Sequence, residues 1–296
     1  MQREFIPINE SGMEIVEYVS ETFPCAIFNA DIGKYNLGYV PWHWHEEVEI
    51  YVVLKGKLKV YLSGHSYILE ENQAAFINSN VLHAMDIAEG DACHLITILF
   101  SPSIFTGGKD TAFYKKVTES IIGNENIQSH VFLRDNVMGS DFIQAIKEIY
   151  KVYSTNQMNM ELMIGENLSK IWRYLISEIN EVNRDPINKI QEVRTQTMMK
   201  FIHDHYNHPL SLKDIAASVS ISTRECSRCF QNIIHTSAIK YLMSHRIAMS
   251  LNLLVENKYS ITQIASKVGF NSSSYFTKVF LEIMDMSPSD YKKRYN

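Results

Sequence analysis

The residues best suited to hold a ligand lie in GYVPWHWHEEVE, where His43 and His45 precede Glu49 by six and four positions. Imidazole nitrogens and a carboxylate are donors for Zn2+, Mn2+, Fe2+ or Ni2+, and also hydrogen-bonding partners for a hydroxylated molecule. Side chains an even number of residues apart leave the same face of a strand, so the spacing predicts that all three point one way. Gly56 follows seven residues after Glu49, and a fourth donor, His83, opens a later apolar run. Aromatic side chains cluster nearby at Tyr39, Trp42, Trp44, Tyr51 and Phe76. Strict alternation sends Trp42 and Trp44 to the face opposite His43 and His45.

The elements that must position these residues are short strands. From Cys25 to Phe100 the segments CAIFNA, EEVEIYVVL, KLKVYL, HSYIL, AAFIN, HAMDIA and HLITILF are rich in β-branched and aromatic residues. Lys55-Gly56-Lys57 and Ser63-Gly64 are expected to be tight turns between them, and the whole a small sandwich or barrel. The pattern resembles the cupin double motif, whose donor positions line a barrel interior. The first motif matches well; the second keeps only His83 and lacks the usual glycines and proline. Three uses stay open: a divalent metal on His43, His45, Glu49 and His83; an organic effector, a sugar or similar molecule, held by those four with Tyr51; or side chains satisfying one another. No cofactor is required, and a divalent metal is the one the donors admit.

A second organisation dominates the C-terminal third. In ITQIASKVGFNSSSYFTKVF, Ile261, Ile264, Ala265 and Val268 recur at helical spacing, Gly269 supplies a sharp turn and Phe270 plugs the angle. Asn271 or Ser272 can cap a second helix that turns Phe276, Val279 and Phe280 inward. The pattern occurs twice. Ser211, Ile215, Ala216, Val219 and Ile221 precede Ser260, Ile264, Ala265, Val268 and Phe270 by 49; Cys226, Phe230, Ser237 and Tyr241 precede Phe276, Phe280, Ser287 and Tyr291 by 50. The apolar positions repeat while the outer faces differ, as a two-part reader of DNA requires. A helix over residues 239–256 joins the copies and spans roughly 25 Å, long enough to hold two reading helices about one DNA turn apart.

Residues 194–296 resemble the AraC/XylS family of bacterial transcription regulators. The carriers are SLKDIAASVSIS with SRCF, YLMSHRIAMSLNLL, and ITQIASKVGF with SYFTKVF and MSPSDYKKR. The resemblance implies two helix-turn-helix units reading adjacent major grooves of double-stranded DNA. It places Arg224, Ser227 and Arg228 on the first reading face and Ser273, Ser274, Tyr275, Thr277 and Lys278 on the second. It also implies a small-molecule effector, a homodimer and contact with RNA polymerase, while the choice between activation and repression of transcription stays open. The sequence departs from the family where Ser220, His235 and Asp285 replace favoured glycines and where Cys226 replaces a leucine. The first unit is therefore expected to be the looser of the two.

Charge supports the division. Residues 190–296 carry 13 Lys and Arg against 8 Asp and Glu, while the chain as a whole has a net charge of −5. Phosphate contact therefore belongs to the C-terminal part. Four cysteines without framework spacing point to a reducing compartment, and Cys226 and Cys229 are expected to be packed thiols. With no signal peptide and no membrane span in view, the protein is expected in the cytoplasm, away from membranes. Ahead of the strands lies a polar arm with a short helix expected at residues 14–20. Two amphipathic helices, near 141–153 and 160–182, form an antiparallel pair that covers the barrel and, by the resemblance, makes the dimer contact.

The expected architecture is thus α+β: a cupin-like effector-sensing domain at 1–136, a helical dimerisation segment at 137–184, a linker at 185–193 and an all-α DNA-binding domain at 194–296. The expected function is an effector-responsive transcription regulator. A metal-dependent cupin enzyme, a metal sensor joined to a helical interaction domain, and a module that binds the transcription machinery are the rivals.

Overall fold

The computed structural model describes residues 6–7, 13–124, 126–135, 137–179 and 186–294, with the side chains of 186–188 excepted. Contacts divide the chain into two compact units that part between Asp185 and Pro186.

The first unit is built on an antiparallel sheet: β1 (Cys25–Asp31), β2 (Val40–His43), β3 (Val48–Leu62), β4 (His65–Leu69), β5 (Ala74–Ile77), β6 (His83–Phe100) and β7 (Ser129–Phe132), in the order β1-β6-β3-β5-β7 with β2 beside β6 and β4 beside β3. Period-two alternation assigns the two faces. Ile50 and Val52 of β3 join an outer core, whereas Tyr51, Val53, Leu58, Val60 and Leu62 join an inner one. Against the outer face pack α3 (Val137–Ser154) and α4 (Met160–Glu178), through Phe142, Ile146 and Ile149 of one and Leu168, Trp172 and Leu175 of the other. Two short helices, α1 (Ser103–Thr106) and α2 (Ala112–Thr118), precede β7.

Several expectations change here. Lys55-Gly56-Lys57 is a bulge inside one long strand, not a turn between two, because β6 runs alongside β3 from end to end with register shifts at Val53, Lys55, Lys57 and Leu58. Gly56 has φ 84°, and a Cβ there would stand 2.3 Å from the Ala92 carbonyl oxygen, so the close approach of β6 demands glycine. HAMDIA and HLITILF likewise merge into β6. Residues 14–20 form no helix; the Glu14 N–H bonds instead to the Trp44 carbonyl at 2.9 Å. The helical pair, by contrast, covers the sheet as expected and shares its outer core. The expected linker at 185–193 is helical from Pro186 onward, proline being well placed in a first helical turn. Residues 180–185, the rest of that boundary, lie outside the described residues.

The second unit is all helix: α5 (Pro186–His205), α6 (Leu212–Ala217), α7 (Thr223–Ile234), α8 (Ala238–Val255), α9 (Ile261–Lys267), α10 (Ser273–Met284) and α11 (Pro288–Arg294). The duplication extends to its caps. Ser211 and Ser260 cap α6 and α9, each with a reciprocal side-chain bond from Asp214 or Gln263. Ser222 and Ser272 cap α7 and α10, and the Ser237 and Ser287 hydroxyls accept the amides of Lys240 and Asp290. Each such cap contributes about 1 kcal/mol. His235 and Asp285 end the reading helices in the left-handed region at φ 54° and 52°.

Candidate functional site

The inner face of the first unit gathers His43, His45, Glu49 and His83, though not along one strand. His43 ends β2, His45 lies in the connection, Glu49 is on β3 and His83 begins β6. The cluster is assembled by strand pairing, with His43 opposite His83 in the β2–β6 register. All four are buried.

Each imidazole is oriented by a backbone carbonyl two residues away: His43 Nδ1 bonds Pro41 O at 2.8 Å, His45 Nδ1 bonds Glu47 O at 2.9 Å, and His83 Nδ1 bonds Val81 O at 2.8 Å. A carbonyl only accepts, so each Nδ1 carries the proton and a neutral ring keeps its lone pair on Nε2. These three nitrogens lie within 4.8 Å of one another. Glu49 Oε2 stands 3.0 Å from His83 Nε2 and 3.5 Å from His45 Nε2, yet none of these three atoms has a hydrogen-bond partner. Lone pair facing lone pair is repulsive unless something positive sits between.

The electrostatics agree. Burial works to raise Glu49, but its contacts with His45 and His83 prevail and hold the carboxyl well below the usual range. Burial works to lower His45, while the Glu49 contact and the charges of Glu14 and Glu49 raise it. Burial, with the charges of His83 and His45, pushes His43 well down. The buried Glu49 carboxylate and the raised His45 ring both mark a place that favours positive charge, while His43 beside them stays neutral. Donors of one ion at bonds of about 2.1 Å stand roughly 3 to 4.2 Å apart, so a divalent cation fits the three histidines with slight contraction, and Glu49 lies in reach through its spacings to His45 and His83. His43, His45, Glu49 and His83 would hold it, and carbonyl-oriented imidazoles are a usual support for ligating histidines.

Glu14 was missed by sequence reasoning. Its Oε2 lies 3.3 Å from His43 Nε2 with the side chain fully buried, and no local pattern marks it, since it approaches from the segment ahead of β1. Tyr51 does lie on the inner face, its hydroxyl 2.8 Å from that of Tyr67. Phe76 points the other way, into the outer core, as alternation along β5 requires. Beside the donors is a small pocket, partly open to solvent, bounded by His43, Glu49, Phe28, Val40, Met85 and Thr97; its clear interior space is about that of one water molecule.

In the second unit the expected reading faces are outward. Arg224, Ser227 and Arg228 are exposed on α7, as are Ser274, Tyr275 and Lys278 on α10, with Ser273 and Thr277 half-buried. Two of these are already engaged. Arg228 bonds Glu225 at 2.7 Å, and the Ser227 hydroxyl donates to Thr223 O at 3.0 Å. Lys278 is held only loosely, 3.8 Å from Glu282. Beside the second turn the buried Arg246 of α8 donates to the Tyr206 and His208 carbonyls at 2.7 and 2.8 Å and lies over the Phe270 ring. Cys226 and Cys229 are buried free thiols, and no helix among the described residues is long and apolar enough to cross a membrane.

A family model described as a helix-turn-helix domain matches residues 215–294, and one described as a cupin domain matches residues 37–99. The chain is 29% identical over 287 residues to the uncharacterized HTH-type transcriptional regulator YdeC of Bacillus subtilis, covering 97% of each. It is 22% identical to the melibiose operon regulatory protein of Escherichia coli, covering 85% of this chain and 83% of that one. Among solved structures, unsaturated fatty acid-bound ToxT of Vibrio cholerae aligns over 94% of this chain and 97% of its own, at 14% identity and a TM-score of 0.44. At that score the likeness supports no further step.

Proposed function

We propose that the chain is a DNA-binding transcription regulator of the AraC/XylS type and not an enzyme, with a cupin domain ahead of its helix-turn-helix domain, and that occupancy of the inner-face cluster controls operator binding. The guest best supported is a divalent cation on His43, His45, Glu49 and His83. One observation carries that reading: His45 Nε2, His83 Nε2 and Glu49 Oε2 converge, buried, without hydrogen-bond partners. The protein acts in the cytoplasm as a homodimer, for which the exposed Leu162 and Ile176 of α4 offer an apolar face, and works on RNA polymerase from its bound operator. By population shift, the ion stabilises one arrangement of the first unit and so the DNA-binding state that accompanies it.

The test is operator affinity of the full chain, measured by fluorescence anisotropy at fixed salt, with and without one equivalent of Ni2+. A change of fivefold or more that Glu49→Gln abolishes is expected. Ion binding that leaves operator affinity untouched sinks the control reading.

A sugar or related hydroxylated effector is the second reading, favoured by the buried Tyr51–Tyr67 hydroxyl pair beside the cluster and by the relative named for the melibiose operon. Such a molecule is far larger than the clear space inside the cavity, so this reading requires the inner face to open. A thermal-shift screen of sugars decides it, a ligand at 100 times its dissociation constant stabilising the fold by about 2.7 kcal/mol.

A further inference from the structure

Glu14 reaches the cluster from outside the strands. Its N–H is fixed to Trp44 O at 2.9 Å, and its fully buried carboxylate lies 3.3 Å from His43 Nε2, the ring nitrogen that the Pro41 contact leaves with its lone pair. The same segment is tied twice more. The Tyr18 hydroxyl donates to Glu47, and the Ser20 hydroxyl donates to Glu161 of α4 at 2.7 Å. It is therefore a strap running from the cluster to the helical layer.

Charge completes the case. A divalent ion held by three neutral imidazoles and Glu49 leaves one positive charge buried, and buried charge is costly unless it is balanced. A second carboxylate brings the site to neutrality, and Glu14 stands where it is needed. Resting on the cation reading of His43, His45, Glu49 and His83, we propose that Glu14 is a fifth donor to the same ion, so that filling the site fastens residues 13–23 to the sheet. Three nitrogens and two carboxylates suit an ion that takes five or six ligands better than tetrahedral Zn2+.

Co2+ is the probe, because its visible absorption bands are strong in four-coordinate sites and weak in five- or six-coordinate ones. The full chain, Glu14→Gln and Glu49→Gln are titrated with Co2+, and amide hydrogen exchange of residues 13–23 is followed with and without the ion. Gln keeps the size of the side chain and leaves the backbone bond to Trp44 in place. Glu14→Gln is expected to weaken Co2+ binding at least tenfold, to strengthen the visible bands as the coordination number falls, and to remove ion-dependent protection of residues 13–23. If Co2+ binds the wild type, fails in Glu49→Gln, and binds Glu14→Gln with unchanged affinity and bands, the role given to Glu14 is overturned while the cation site stands. A wild-type chain that takes up no Co2+ overturns both.

Discussion

In the first helix-turn-helix repeat the turn is made by Ser220 at φ 55°, exposed to solvent; in the second it is made by Gly269 at φ 86°, pressed against the end of α5. The two repeats share their serine caps and the buried Ile–Ala pair of the first helix, but Val219 and Ile221 beside the first turn are half-buried where Val268 and Phe270 beside the second are buried, so the difference shows what each turn is packed against. A positive φ alone costs about 1–2 kcal/mol for a residue with a Cβ, and an open turn tolerates that. At Gly269 a Cβ would stand 2.3 Å from the Tyr206 carbonyl oxygen and 2.9 Å from the Arg246 guanidinium. Glycine there is demanded by the neighbours and not only by the dihedral. The second repeat is locked to the body of its domain at this point, with Phe270 under Arg246, whereas the turn of the first stands free.

The largest effect expected from this contrast is at Gly269. Gly269→Ala adds the left-handed penalty to an overpacking cost of about 1–3 kcal/mol, because the atom it strikes is backbone, so a loss of roughly 3 kcal/mol is expected in urea unfolding of the full chain. Ser220→Gly moves the other way, stabilising by about 1 kcal/mol at most, since relief of the strained φ is partly offset by the freer unfolded chain. If Gly269→Ala costs under about 1 kcal/mol, the two turns are equivalent and the contrast fails.

Acid separates the repeats next. His203 of α5 bonds Tyr241 at 2.7 Å and stacks on His245, on the side of the domain that carries the first repeat's Phe230; residues 260–296 contain no histidine. Burial holds His203 down to about 4, and burial with the charges of His203 and Arg246 pushes His245 well down. Both rings are therefore neutral in the folded state while the unfolded chain binds protons below about 6.5. Their contribution is full above that value and is lost as pH falls toward 4. The loss is about 3 kcal/mol for His203 over that range. His203→Gln should flatten the fall in unfolding free energy by a similar amount; an unchanged slope would remove His203 as its source.

Much of the second unit was legible in the sequence because its signals are local. Ser260 and Gln263 cap a helix from within it, and Ile264, Phe276 and Phe280 declare their burial by spacing alone. Even the left-handed geometry of Ser220, His235 and Asp285 follows from their alignment with turn positions. The ligand cluster was legible only in its membership. His43, His45 and Glu49 were placed on one strand, but they meet because β2 pairs with β6 and the chain then enters β3. Lys55-Gly56-Lys57 carries the same residues whether it makes a turn or a bulge, and the neighbouring β6 strand decides which. Glu14 had no signal at all, its partner being 29 residues away on the far side of β1.

The reading faces allow the finest comparison. Arg228 is bonded to Glu225, which also faces Arg194 at 3.4 Å, so α7 presents a cation already committed to an anion. Lys278 is 71% exposed with its nearest carboxylate 3.8 Å away, so α10 presents one that is nearly unspent. Reaching DNA therefore costs Arg228 an existing partner and costs Lys278 almost nothing. Lys278→Ala is expected to weaken operator binding about tenfold and Arg228→Ala by less. Glu225→Gln, by releasing Arg228 and removing a negative charge from the face, should strengthen binding about two- to fivefold and steepen its salt dependence. Equal losses at Arg228 and Lys278, with no gain from Glu225→Gln, would mean that the acid on α7 leaves the two helices equally free to read.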